Sequence, residues 1–167
     1  MPSFPKPPAA KHHLSPKPPD LGAVLSCARR LGHAPASGAQ RLPLKGRNLG
    51  LLCGNGQGAH VEAFQQAATE LGARAAVLAA SRTLGSTPQT TEEAARLLSR
   101  LYDAVTCDGV PDQVVDALAR TATIPVTNGY IAAAAQAATL AARLDGADAP
   151  QHGHRRILQA LVLQSMC

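Results

Sequence analysis

The chain has 167 residues, a formal net charge of +5, and 46% apolar residues with two Phe, two Tyr and no Trp. That length suits one domain with a core of its own, and the core has to be aliphatic. No apolar run is long enough for a membrane span, and residues 1–14 contain Pro and Lys but lack the apolar segment of a secretory signal.

Cys27, Cys53, Cys107 and Cys167 form no Cys-x-x-Cys pair, which points to reduced thiols in a cytoplasmic protein, Cys53 and Cys107 sitting at buried strand ends. The positive charge is concentrated in residues 1–50, where Lys6, Lys11, Lys17, Arg29, Arg30, Arg41, Lys45 and Arg47 face the single acid Asp20. Such a balance attracts phosphate-bearing partners. The cations are scattered, however, and no aromatic residues lie between them for base stacking, so nucleic acid is not the expected partner.

In chain order, residues 1–19 are expected to form a disordered tail, with Pro-Lys-Pro-Pro twice (5–8 and 16–19). Proline fixes φ and lacks an amide donor, so the tail is extended, either a plain leader or a polyproline ligand. Asp20 caps a helix over 21–31 with Leu21, Val24, Leu25 and Ala28 on one face, and 32–43 is loop. The apolar run 48–53 reads as the first strand. Glycines follow at alternate positions, Gly54, Gly56 and Gly58, and then a helix over 59–71 stopped by Gly72.

A second strand over 75–79 leads into a polar loop, 81–90, and a helix from 91 to 101 whose first turn carries Glu92 and Glu93. A third strand (104–107), a helix over 111–121 with Pro111 in its first turn, a fourth strand (124–127) and an Ala-rich helix (131–144) complete the alternation. Residues 145–153 read as a linker and 154–165 as a last helix. Strands alternating with helices imply an α/β fold, a single domain over 20–144 with a four-stranded parallel sheet flanked by helices.

The order of residues resembles a known family. Lys45-Gly46-Arg47-Asn48-Leu49, then Phe64, Ala67, Ala68 and Leu71-Gly72-Ala73, is similar to the first βα unit of the aspartate and ornithine carbamoyltransferases. Leu84-Gly85, Arg100-Leu101-Tyr102-Asp103 and Ile124-Pro125-Val126-Thr127-Asn128-Gly129 continue the match, and Lys11-His12-His13-Leu14 resembles the start of ornithine-type members. The segment 155–163 resembles the C-terminal helix that returns to pack on the carbamoyl-phosphate domain. The resemblance implies an N-terminal, carbamoyl-phosphate-binding domain plus that helix (154–167). It also implies a homotrimer, or a mixed trimer with an active carbamoyltransferase.

The same comparison implies lost chemistry. The family's Ser-Thr-Arg-Thr phosphate motif aligns with Gln57, Gly58, Ala59 and His60, which offer no hydroxyl or guanidinium. An Arg-Gly pair after the third strand is replaced by Asp108-Gly109. The His-Pro-x-Gln motif aligns with Ala133-Ala134-Ala135-Gln136, of which Gln136 alone is kept. Ser81 and Arg82 fall near the family's phosphate-contacting loop. The residues Gln57, Gly58, Ala59, His60, Ser81, Arg82 and Gln136 are therefore the ligand-site candidates, with no catalytic residue, no metal and no cofactor.

The glycine turn is either an anion cradle of backbone N–H groups or a tight turn left where a site was lost. It is not a dinucleotide fingerprint, because its third glycine comes one residue early and no acid ends the second strand. His12-His13 and His152-x-His154 lack supporting metal ligands. The functions left open are an assembly or regulatory subunit without catalysis, a binding module for carbamoyl phosphate or another small anion, an ornithine-type transferase completed by another chain, and a gene product without selected activity.

Overall fold

The computed structural model describes residues 18–33, 42–54, 57–144 and 150–166. The expected tail up to residue 17, including His12-His13 and the Lys11–Leu14 match, lies outside the described residues. So do most of the loop before the first strand, Asn55 and Gly56 of the glycine turn, positions 145–149 of the expected linker, and Cys167.

Twelve elements follow one another among the described residues: α1 (Leu21–Gly32), β1 (Asn48–Cys53), α2 (Ala59–Glu70), β2 (Arg74–Ala79), α3 (Ala80–Thr83), α4 (Pro88–Leu101), β3 (Ala104–Asp108), α5 (Asp112–Thr121), β4 (Val126–Asn128), α6 (Tyr130–Ala135), α7 (Ala137–Ala141) and α8 (Pro150–Gln164). The four strands form one parallel sheet in the order β2-β1-β3-β4. β1 pairs with β2 from Asn48↔Arg74 to Cys53↔Ala79 and with β3 from Leu49↔Ala104 to Cys53↔Asp108.

Side chains of β1 alternate between two cores, as period-two geometry demands. Leu49, Leu51 and Cys53 join Val24, Phe64, Ala68, Ile157 and Leu161 under α1, α2 and α8. Leu52 joins Leu98, Val105, Cys107, Val115 and Leu118 under α4 and α5. A central strand buried on both faces explains the near-continuous apolar run.

Local signals account for most boundaries. Asp20 caps α1 by accepting the N–H groups of Gly22 at 2.9 Å and Ala23 at 3.3 Å. α2 stops at Gly72, whose φ of +89° suits glycine and whose position leaves no room for a Cβ, which would lie 2.8 Å from Leu42 Cβ.

Five expectations need correction. The polar loop 81–90 is largely helical: α3 occupies Ala80–Thr83, and α4 begins at Pro88 behind Thr87. Thr87 and Thr90 cap each other, Thr87 Oγ1 accepting the Thr90 N–H and Thr90 Oγ1 accepting the Thr87 N–H. Glu92 and Glu93 thus fall beyond the first turn of α4. The fourth strand lies at Val126–Asn128, although Pro125 O already accepts Val105 N–H at 3.0 Å.

The Ala-rich helix is two helices, broken at Gln136, with no Gly or Pro at the break to announce it. The last helix begins at Pro150, so Gly153 is helical. A Cβ there would stand 3.2 Å from Ala141 Cβ, and α8 uses the missing side chain to lie close against α7. α8 also packs on α1 and α2, and Glu70 Oε2 fastens it, accepting from Arg155 Nε at 2.7 Å and Gln159 Nε2 at 2.8 Å.

Candidate functional site

In a parallel sheet the ligand crevice lies beyond the carboxyl ends of the strands, where the strand order reverses. Here the reversal falls between β1 and β3, because β1 leads to β2 on one side and β3 lies on the other. Cys53 and Asp108 close the two strands opposite each other, and Gly54 N–H donates to Asp108 O at 3.3 Å.

α2 starts at this point. Its N-cap is Gly58, with φ +133° and no side chain to cap with. The N–H groups of Val61 and Glu62 both turn back to Gly58 O, at 3.0 and 3.3 Å. The His60 imidazole folds over Gly58, leaving 2.8 Å to a notional Cβ, and faces the Asp108 carboxyl. Gln57, Gly58 and Ala59 are exposed and His60 is half-buried.

Asp108 is only 5% exposed. Burial pushes its carboxyl above the usual range, while the His60 side chain and the Ile131 N–H pull the other way. Among the described residues its Oδ2 has no hydrogen-bond partner, and neither has the hydroxyl of Tyr130, which is 2% exposed at the start of α6. Tyr130 sits edge-on to Phe64, ring centroids 5.1 Å apart, and its phenol is pushed up by burial and further by Asp108. Beside them Asn128 Nδ2 donates to Asp112 Oδ1 at 2.9 Å, and Asn128 Oδ1 accepts the Gly129 N–H at 2.8 Å. Burial lifts the Cys107 thiol to about 12, so it stays a thiol at neutral pH.

The structure brings Gln57, Gly58, Ala59 and His60 to the carboxyl edge of the sheet, and Ser81 and Arg82 lie on that edge too, exposed in α3 behind β2. Gln136 is placed differently. It ends α6, about 9 Å along the axis from the start of that helix, and its Nε2 turns back to Ala132 O at 3.5 Å. His152 and His154 are exposed on α8, and no cluster of metal-ligating side chains occurs among the described residues. Sequence reasoning left Tyr130 and Asn128 out of the candidate set, although the strand-then-glycine signal at 126–129 marks the loop that carries them.

No protein-family model matches the chain. Among solved structures it superposes on the ornithine carbamoyltransferase of Pyrococcus furiosus with a TM-score of 0.56 at 28% identity, over 65% of this chain and 35% of that one. The domain is built like one domain of an ornithine carbamoyltransferase. The enzyme from Thermus thermophilus gives the same result, TM-score 0.55 at 26% identity, over 74% of this chain and 42% of that one. That from Burkholderia thailandensis, at 21% identity and a TM-score of 0.55 over 66% of this chain and 38% of its own, shares the fold.

The chain thus spans about 35–42% of the length of the carbamoyltransferases it matches. Within this carbamoyltransferase-like domain, the start of α2 presents backbone, glycine, alanine and one imidazole. Behind it lies the buried carboxyl of Asp108.

Proposed function

We propose that the chain is a carbamoyl-phosphate-domain relative of the ornithine carbamoyltransferases that does not transfer a carbamoyl group by itself and acts as an assembly or regulatory subunit. The observation that carries this reading is the buried Asp108 carboxyl at the crevice, behind a helix start without hydroxyl or guanidinium. A preorganised cationic or hydroxyl donor is worth on the order of 3 kcal/mol to a developing anionic centre, so losing several removes many decades of rate. An acid in place of a cation adds repulsion toward a phosphate dianion.

The likeness to about one domain of the ornithine carbamoyltransferases supports a role through contacts with a second chain, as a homotrimer or a mixed trimer. Among the described residues no helix is long and apolar enough to cross a membrane, which is compatible with a cytoplasmic setting. Co-expression with an active ornithine carbamoyltransferase followed by light scattering tests the reading. Co-elution of the two chains in one trimeric species supports it, and a strictly monomeric chain at high concentration refutes it.

A second reading rests on the uncapped start of α2, where backbone N–H groups lack a side-chain acceptor. In it the chain is a binding module for carbamoyl phosphate or another small anion. A thermal shift that saturates with carbamoyl phosphate would favour it.

A further inference from the structure

Near the carboxyl end of β3, two buried oxygens have no hydrogen-bond partner among the described residues, Asp108 Oδ2 and Tyr130 Oη. Both residues are more than nine-tenths buried, and the carboxylate lies near enough to raise the phenol's proton affinity. Folded interiors satisfy nearly every such group, so two neighbouring orphans mark a place for a donor that comes from outside. Among the described residues, three glycines lie close by, and the His60 imidazole is the side chain that reaches Asp108. Gly54, Gly58 and Gly109 are exposed. Among the described residues, a Cβ at Gly109 would meet nothing within 4 Å, and one at Gly54 nothing nearer than Gly109 O at 3.7 Å.

The chemistry of the pair selects the ligand. An ionised carboxylate only accepts, and a phenol accepts as well as donates. Phosphate brings negative charge and acceptors, which suit neither a carboxylate nor its burial. The positive end of α2 disfavours a cation, yet it amounts to about half a charge, and the full charge of Asp108 outweighs it. A planar amidinium or guanidinium presents several N–H donors in a fixed fork, able to serve two adjacent acceptors at once.

We propose that Asp108 Oδ2 and Tyr130 Oη form the inner end of a binding site for a small planar N–H-bearing cation, of the amidinium or guanidinium class. Asp108 neutralises the cation and Tyr130 orients it, while the glycine rim admits it. The site is independent of whether the chain joins a trimer, so the two proposals fail separately.

The test is a titration of the full chain followed through the backbone amide resonances of His60, Gly109 and Ile131. Three probes are used: methylguanidine, tetramethylammonium as a cation without N–H donors, and inorganic phosphate. Methylguanidine is expected to shift these resonances saturably with a Kd of about 1–10 mM, the weak range of a ligand with few contacts. Tetramethylammonium is expected to leave them unmoved. Affinity for methylguanidine should fall at least about tenfold in Asp108→Asn, a loss of roughly 1.4 kcal/mol.

Tyr130→Phe, which removes the hydroxyl alone, should weaken binding several-fold and serves should Asp108→Asn fail to fold. Absence of a saturable methylguanidine shift, equal affinity in both variants, or equal shifts from tetramethylammonium would overturn the proposal. Saturation by phosphate without a response to methylguanidine would replace it with an anion site.

Discussion

Asp108, closing β3, faces His60 in the first turn of α2 across the line where the strand order reverses. The carboxylate is the buried member of the pair, and its Oδ2 has no partner among the described residues. The crevice of this carbamoyltransferase-like domain is therefore organised around an acid, and the first prediction follows from that acid's titration.

Burial raises the folded-state pKa of Asp108 above the ordinary 3.8. A carboxyl shifted in that direction lends its stability at low pH and loses it as the pH rises through the folded value. Asp108→Asn should therefore raise stability at pH 7 by about 1 kcal/mol, with the gain shrinking toward pH 3.8. Urea denaturation at several pH values measures it.

Glu70 behaves in the opposite sense. Burial pushes its pKa up, but hydrogen bonds from Arg155, Gln159 and Gln66, with the Arg155 charge, hold it below the ordinary 4.5. Its contribution is present above pH 4.5 and is lost as the pH falls through the lower folded value. Because Arg155 is half exposed, Arg155→Ala should cost only about 0.5–1 kcal/mol at neutral pH, and that cost should fade in acid. A pH series of thermal melts on both proteins reads the difference.

How α8 lies against α7 depends on Gly153. Gly153→Leu should cost about 1–3 kcal/mol by forcing the helices apart, since even a methyl there meets Ala141 Cβ at 3.2 Å. Hydrogen exchange of the α8 amides should rise in the variant. Pairing it with Ala141→Gly should recover part of the loss.

The start of α4 offers a smaller, cleaner test. Thr87→Ala removes the side chain that accepts Thr90 N–H and should cost about 1 kcal/mol, with no change in the m-value on denaturation.

The fold was legible because its strongest signals are local. The run at 48–53, bounded by glycines, gave β1 to the residue, and Asp20 and Gly72 marked helix ends through capping chemistry that needs no tertiary context. What stayed hidden depends on contacts distant in sequence. Gly153 looked like a linker residue because its meaning lies in Ala141 on another helix. The break at Gln136 has no Gly or Pro to announce it, and the start of α4 rests on the reciprocal Thr87–Thr90 pair, a cap that the helical apolar pattern does not show.

The site was readable by half. The spacing put a helix start just beyond a strand, and the resemblance aligned Gln57, Gly58, Ala59 and His60 with a phosphate motif there; the structure has them at that helix start. Asp108 was visible as an acid at a strand end, but only folding shows that Tyr130 brings a second buried oxygen to it.

The central claim is that this crevice does not carry out carbamoyl transfer by itself. The most direct measurement is the formation of citrulline by the purified full chain supplied with carbamoyl phosphate and ornithine, with an active ornithine carbamoyltransferase assayed alongside. No citrulline above the uncatalysed background is the expected result. Sustained turnover by the chain alone, abolished by changing His60 or Asp108, would contradict it.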